Sequence, residues 1–353
     1  MKTKVLVLLG LLLALALVLS GCASGLTASA WPAMIADAKN AYVAGGPYVY
    51  AVDLQTGAQT WRFPDKASVN PFDATPALTG DGQLIVGGFD KKLYSLNLQT
   101  GKSNWQFTGA HDRWIGGALV VDKLIYAVNA DYNLYALTLQ GALQWTFTAD
   151  QAIWGAAVSD GTNIYFGTLG RKVYAVNAQT GKQVWMQKVD GAILGSPVLG
   201  TDATLYVDSN AGTVYALSTA NGATRWKVAA TSWIWSGPAL DGNMLYFGDG
   251  KGVLFAHPTA GGTGQSWNKP LNGAIIGTPL ISGDNIVIGT EAGNVYFVDR
   301  TGTKLTPISI PGKIYSSPVA AGKLILVAPT GGSATLTALD SSGAVKWSFI
   351  PPK

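Results

Sequence analysis

One cysteine, Cys22, and two histidines, His111 and His257, are all that this chain of 353 residues offers to thiol chemistry and to soft metals. A disulfide framework is therefore excluded, and a histidine metal cluster would need carboxylates for most of its ligands. Charge is also scarce. Only 12% of residues are Asp, Glu, Lys or Arg, and no run of lysine or arginine occurs. Nucleic-acid binding needs a concentrated basic face to neutralise phosphates, so that function class drops out. Long segments with apolar residues at helical spacing are missing as well, which removes helical folds.

What is present begins with an export pattern. Lys2 and Lys4 precede an unbroken stretch of apolar residues and glycine from Val5 to Leu19, followed by Leu19-Ser20-Gly21-Cys22. The stretch is shorter than the roughly 20 apolar residues that a membrane-spanning helix needs, so a cleaved signal over residues 1–21 is the better reading. The segment ending in Cys22 resembles a bacterial lipobox, which implies a diacylglyceryl group on Cys22, a short lipidated tether over 22–30, and a protein held to the membrane by acyl chains alone. With Ala23 after the cysteine, the resemblance implies an outer-membrane destination facing the periplasm where the organism has one. Removing residues 1–21 takes away two lysines and no acids, which leaves a nearly neutral protein.

Forty-four glycines, twelve tryptophans and fourteen tyrosines point to many short strands and tight turns. A phrase then repeats: Val49-Tyr50-Ala51-Val52 followed by Trp61, Leu93-Tyr94-Ser95-Leu96 by Trp105, Leu134-Tyr135-Ala136-Leu137 by Trp145, and Val173-Tyr174-Ala175-Val176 by Trp185. Val214-Tyr215-Ala216-Leu217 leads to Trp226, and Leu254-Phe255-Ala256-His257 leads to Trp267. Val295-Tyr296-Phe297-Val298 has Thr306 where tryptophan is due, and Leu336-Thr337-Ala338-Leu339 recovers it at Trp347. Eight copies about 40 residues apart match the period of a propeller blade. The expected fold is all-β: an eight-bladed β-propeller of four-stranded antiparallel blades over residues 31–353.

Within each copy the tryptophan falls on the fourth strand, where an indole can reach the neighbouring blade near its Thr-Gly turn. Trp61, Trp105, Trp145, Trp185, Trp226, Trp267 and Trp347 are thus expected to be structural docking residues, and Thr306 predicts the loosest seam. Trp31-Pro32-Ala33-Met34 aligns with Thr278-Pro279-Leu280-Ile281, and the last copy ends at Ile350. No spare strand remains for a blade built from both chain ends, so the ring is expected to close by face packing.

The Ala-x-Asp-x-x-Thr-Gly-x-x-x-Trp phrase resembles the tryptophan-docking repeat of the pyrroloquinoline-quinone (PQQ) propellers, over residues 31–350. That family has two branches. Quinoprotein dehydrogenases hold a quinone over a vicinal disulfide, with a bound calcium and an aspartate base. A sole cysteine at position 22 supplies no adjacent pair, and none of the remaining set can be placed. The other branch consists of cofactor-free lipoprotein propellers of outer-membrane protein assembly. It implies no enzyme activity, no cofactor and no metal, and as partner an envelope protein complex, namely the outer-membrane barrel insertase.

A direct search for chemistry agrees. His257 leads into Pro258-Thr259 and reads as a turn residue, and His111 sits in an inter-blade loop beside Asp112 and Arg113. Asp81-Gly82, Asp160-Gly161, Asp241-Gly242 and Gly283-Asp284 occupy equivalent turns around the ring, so they do not form a carboxylate pair. Asp208-Ser209-Asn210 has faint calcium-loop character but reads as a hairpin. Gly261-Gly262-Thr263-Gly264 lacks the lysine and the helix of a phosphate loop.

One feature points to binding. Before each first strand lies a short apolar phrase, such as Ile153-Trp154-Gly155, Ile193-Leu194-Gly195, Ile234-Trp235-Ser236 and Ile314-Tyr315-Ser316. Strand side chains alternate between faces, so the near-constant first residue reads as core and its varying neighbour points the other way. Asp73, Ile115, Trp154, Leu194, Trp235, Ile276 and Tyr315 form the varying set. If first strands line the central channel, the apolar members are a ring at one mouth and a candidate surface for a partner segment. The alternative is that the aromatic members fill space between blades. Functionally, a protein-binding envelope scaffold leads. A surface-layer or cell-wall module, whose aromatics stack on glycan, comes next, and a PQQ-dependent dehydrogenase third.

Overall fold

The computed structural model describes residues 31–259 and 265–352. The signal segment, Cys22, the tether and the 261–264 loop lie outside them. Eight four-stranded antiparallel sheets follow one another along the chain, each with its strands in sequence order. They make blades 1 to 8 at residues 33–63, 77–107, 118–148, 158–188, 198–229, 239–270, 280–309 and 319–349. The fold is the eight-bladed β-propeller that the repeat announces. First strands of adjacent blades pack against one another, including those of blades 8 and 1. A small extra sheet pairs Lys313–Ile314 with Pro329–Thr330 at the entrance to blade 8.

The second and third strands are buried on both faces, whereas the fourth strands alternate between exposed and covered residues. This is why the middle of each repeat reads as a nearly continuous apolar run and its end does not. The small residue in the Tyr-Ala phrase has a specific job. Ala51 is paired with Tyr42 on one side and Trp61 on the other, and Ala136, Ala175, Ala216 and Ala256 sit likewise between a tyrosine and a tryptophan. A methyl group between two large rings lets them meet above it, with centroids 5.8 Å apart for Tyr42 and Trp61.

Each indole then crosses to the next blade. Trp61 Nε1 donates to the Leu98 carbonyl at 2.8 Å, Trp105 to Leu139 at 2.9 Å, Trp145 to Ala178 at 3.1 Å and Trp185 to Thr219 at 2.7 Å. Trp226 donates to Thr259 at 3.0 Å, Trp267 to Arg300 at 2.9 Å, and Trp347 closes the ring onto Leu54 at 2.9 Å. The indole lies against a turn glycine of the receiving blade. At Gly101, φ is +70° and an added Cβ would stand 2.6 Å from the Trp61 ring. Backbone conformation and ring contact therefore both demand glycine there.

The seam between blades 7 and 8 is built differently. Thr306 is exposed, and its partner across the strand pair is Phe297 where the other repeats have alanine or serine. Phe297 is buried, and together with Ile308 it covers Gly343, the turn glycine of blade 8. Aromatic bulk has moved one strand inward: the seam keeps its apolar filling and lacks the indole hydrogen bond.

Candidate functional site

In blades 2 to 8 the near-constant residue ahead of the first strand is core. Phe72, Trp114, Ile153, Ile193, Ile234, Ile275 and Ile314 are each no more than 2% exposed. A glycine at the end of the preceding second strand receives several of them. Cβ atoms added to Gly87, Gly167, Gly248 and Gly289 would stand 2.2–2.3 Å from Trp114, Ile193, Ile275 and Ile314. Just beyond, the backbones of neighbouring blades touch: a Cβ on Gly155 would meet the Gly195 carbonyl oxygen at 2.1 Å, and one on Gly237 the Ser196 oxygen at 1.9 Å. Small residues follow the varying position because the entry segments crowd together there.

The varying residues are less deeply buried than the core set. Ile115, Trp154, Leu194, Trp235 and Tyr315 are half-buried, and Ile276 is buried at 6% exposure. Rather than standing apart around an open ring, the aromatics meet. Trp154 and Trp235 lie 6.4 Å apart, Trp233 packs edge-on to Trp235 at 6.2 Å, and Trp31 joins them. The Trp31 ring stacks on Tyr315 at 5.0 Å and meets Trp235 edge-on at 5.3 Å. Five side chains from blades 8, 1, 6 and 4 thus make a continuous aromatic cluster. Trp31 stands where other repeats carry small residues such as Gly117, Ser196 or Gly237, and the periodicity gave no sign of it.

Asp73 is the polar member of the set. Its Oδ1 is buried with no hydrogen-bond partner, and burial pushes its pKa up to about 7, against a smaller opposing pull from Arg113. Asp208 is the other unpaired carboxylate. It is 3% exposed, neither oxygen has a partner, and burial raises its pKa well above the usual range. It occupies the second-strand position held by Gly87, Gly167, Gly248 and Gly289 in other blades, and its side chain is enclosed rather than open to the hairpin.

The turn between the second and third strands of blade 7 reaches the aromatic cluster: Glu291 accepts hydrogen bonds from Lys313 Nζ at 2.8 Å and Tyr315 Oη at 3.2 Å. Blades 5, 6 and 7 place Gly212, Gly252 and Gly293 in the left-handed position of this turn. Blades 2, 3 and 4 place Lys91, Tyr132 and Arg171 there, with φ of 69°, 75° and 62°. Non-glycine residues adopt this conformation at a cost, and these three project exposed side chains from it.

Of the two histidines only His111 is a loop residue; His257, expected in a turn, lies in the third strand of blade 6 opposite Leu245. His257 packs on Trp226 at 5.0 Å and contacts the Pro258 carbonyl through Nδ1, while exposed His111 binds Asp131 through its backbone. Among the described residues no group of three His, Cys, Asp or Glu is placed to hold a metal, and a chain with one cysteine cannot form the vicinal disulfide. These residues do not fit a quinone site.

Comparison with known proteins supplies the family. The signature of outer membrane protein assembly factor BamB matches residues 46–153, 139–233, 210–305 and 264–351. The chain belongs to that family. A BamB of Burkholderia pseudomallei (strain K96243) is 27% identical over 322 residues, covering 85% of this chain and 82% of the relative. BamB of Legionella pneumophila (strain Paris) is 27% identical over 46% of the chain and 44% of its own length. The crystal structure of BamB from Moraxella catarrhalis superposes with a TM-score of 0.71 at 16% identity, over 84% of this chain and 92% of that one. A quinoprotein ethanol dehydrogenase of Pseudomonas putida is 32% identical over 116 residues, but these are only 18% of that enzyme, so the likeness to it is confined to a few blades.

Proposed function

We propose that this chain is a non-enzymatic, lipid-anchored scaffold of the cell envelope, facing the periplasm from the outer membrane and binding a protein partner in β-barrel assembly. Similarity to BamB of Burkholderia pseudomallei over most of both chains carries the reading. The lipobox at Cys22 and the lack of residues for quinone chemistry support it. The surface proposed to meet the partner is the mouth with Ile115, Trp154, Leu194, Trp235, Ile276 and Tyr315, since half-buried aromatics are the side chains that most often dominate binding energy.

Crosslinking in intact envelopes followed by pull-down tests the partner. Recovery of the barrel insertase supports the reading, and recovery of glycan or surface-layer protein instead refutes it. Trp154→Ala with Trp235→Ala should lower capture at least tenfold while the far-UV circular dichroism remains that of a β-propeller. Unfolding of that double variant would mark the cluster as packing alone. Cys22→Ser should release the protein from the membrane fraction.

A further inference from the structure

We propose that the mouth is a binding site for an aromatic side chain, and that Trp31 is its resident, exchangeable occupant. Tyr315 supplies a flat face and Trp235 an edge, the two arrangements in which aromatic rings prefer to meet. Trp31 fills the space between them from blade 1, reaching across to a blade that is not its neighbour. The site is therefore a cage shaped for a planar ring, lined by residues of different blades.

The seat is incomplete for this occupant. All seven indoles in the blade seams donate to a carbonyl at 2.7–3.1 Å. The Trp31 Nε1 is buried with no acceptor. A buried donor without a partner offsets much of what the ring contacts contribute, so Trp31 is held less firmly than the seam tryptophans. An incoming phenylalanine, which has no donor, or a tryptophan presented at a different angle, can replace it. A tethered occupant acts at an effective concentration on the order of millimolar, which lowers the apparent affinity for a free ligand without abolishing binding.

Titration calorimetry with N-acetyl-tryptophanamide and N-acetyl-phenylalaninamide tests the cage on the full propeller. Trp31→Ala should bind one equivalent of either at least tenfold more tightly than the wild type, and Trp31→Ala with Tyr315→Ala or with Trp235→Ala should lose it. Trp31→Phe should keep the cage closed, with an affinity for free ligand no higher than wild type. Absence of binding to a folded Trp31→Ala protein, or equal binding to both proteins, would overturn the proposal. If Trp31→Ala fails to fold, exchange is read in the wild type, where a folded protein with no uptake at saturating ligand also overturns it.

Use of the cage in capture rests on the function proposed above. Trp31→Ala that gains ligand binding but leaves partner capture unchanged would separate the two, keeping the cage and removing its role in recruitment.

Discussion

The exchange of Phe297 for alanine and of Thr306 for tryptophan would convert the odd seam into the common one. Phe297 is 5% exposed and covers Gly343, so Phe297→Ala alone should cost about 3–5 kcal/mol. Thr306→Trp alone forces an indole beside a phenyl ring that already fills the space, costing about 1–3 kcal/mol. Together they recreate the Ala–Trp pair seen at Ala136 and Trp145. Ile308 need only turn aside, because its counterparts two residues after the indole include Phe107 and Phe147. The indole then meets the Gly343 turn and gains a hydrogen bond worth about 1 kcal/mol, with the Ser341 carbonyl the equivalent acceptor. The double variant should therefore equal or exceed wild-type stability, with a coupling of at least about 4 kcal/mol in a cycle measured by urea denaturation. Single effects that add within about 0.5 kcal/mol would refute the view that bulk moved from one strand to the next.

Other expectations follow from the same geometry. Blade 8 has a docking indole at one seam alone, so Trp347→Ala should cost about 3–5 kcal/mol and make the amides of Leu324–Val327 and Leu336–Leu339 exchange first; equal protection in all blades would contradict this. Asp73 keeps its proton to about pH 7 in the folded protein and loses it near 3.8 when unfolded. Between those values the native state binds more protons, so stability should fall as pH rises, by up to roughly 4 kcal/mol before solvent screening at the mouth, and level off above 7. Asp208 acts in the same direction. Asp73→Asn should flatten the slope between pH 4 and 7 in thermal melts, and an unchanged slope would reject the assignment.

The fold was legible because a propeller repeats its own local physics eight times. Strand alternation, turn glycines and a tryptophan in seven of the eight copies all recur at one spacing. The blade 7 compensation was also written in the repeat, since the copy that has Thr306 is the one that has Phe297 in place of alanine. Asp208 likewise stands at a position that is glycine in four other blades. The role of Trp31 was not legible. Its contacts reach across the channel to residues more than two hundred positions away, and no local pattern encodes that reach. Periodicity picked out Trp154, Trp235 and Tyr315 as one varying position, while their meeting in a cluster depends on side-chain length and on how narrowly the blades converge.

A ring of eight near-copies poses a problem of address. A rigid partner that read only the shared repeat could land in eight rotational settings, each as good as the next. The three turns that carry Lys91, Tyr132 and Arg171, followed by three that carry glycine, give the face a beginning and an end. A partner docking on the proposed face would meet long side chains at blades 2, 3 and 4 and bare backbone at blades 5, 6 and 7, which sets one rotational setting apart from the other seven.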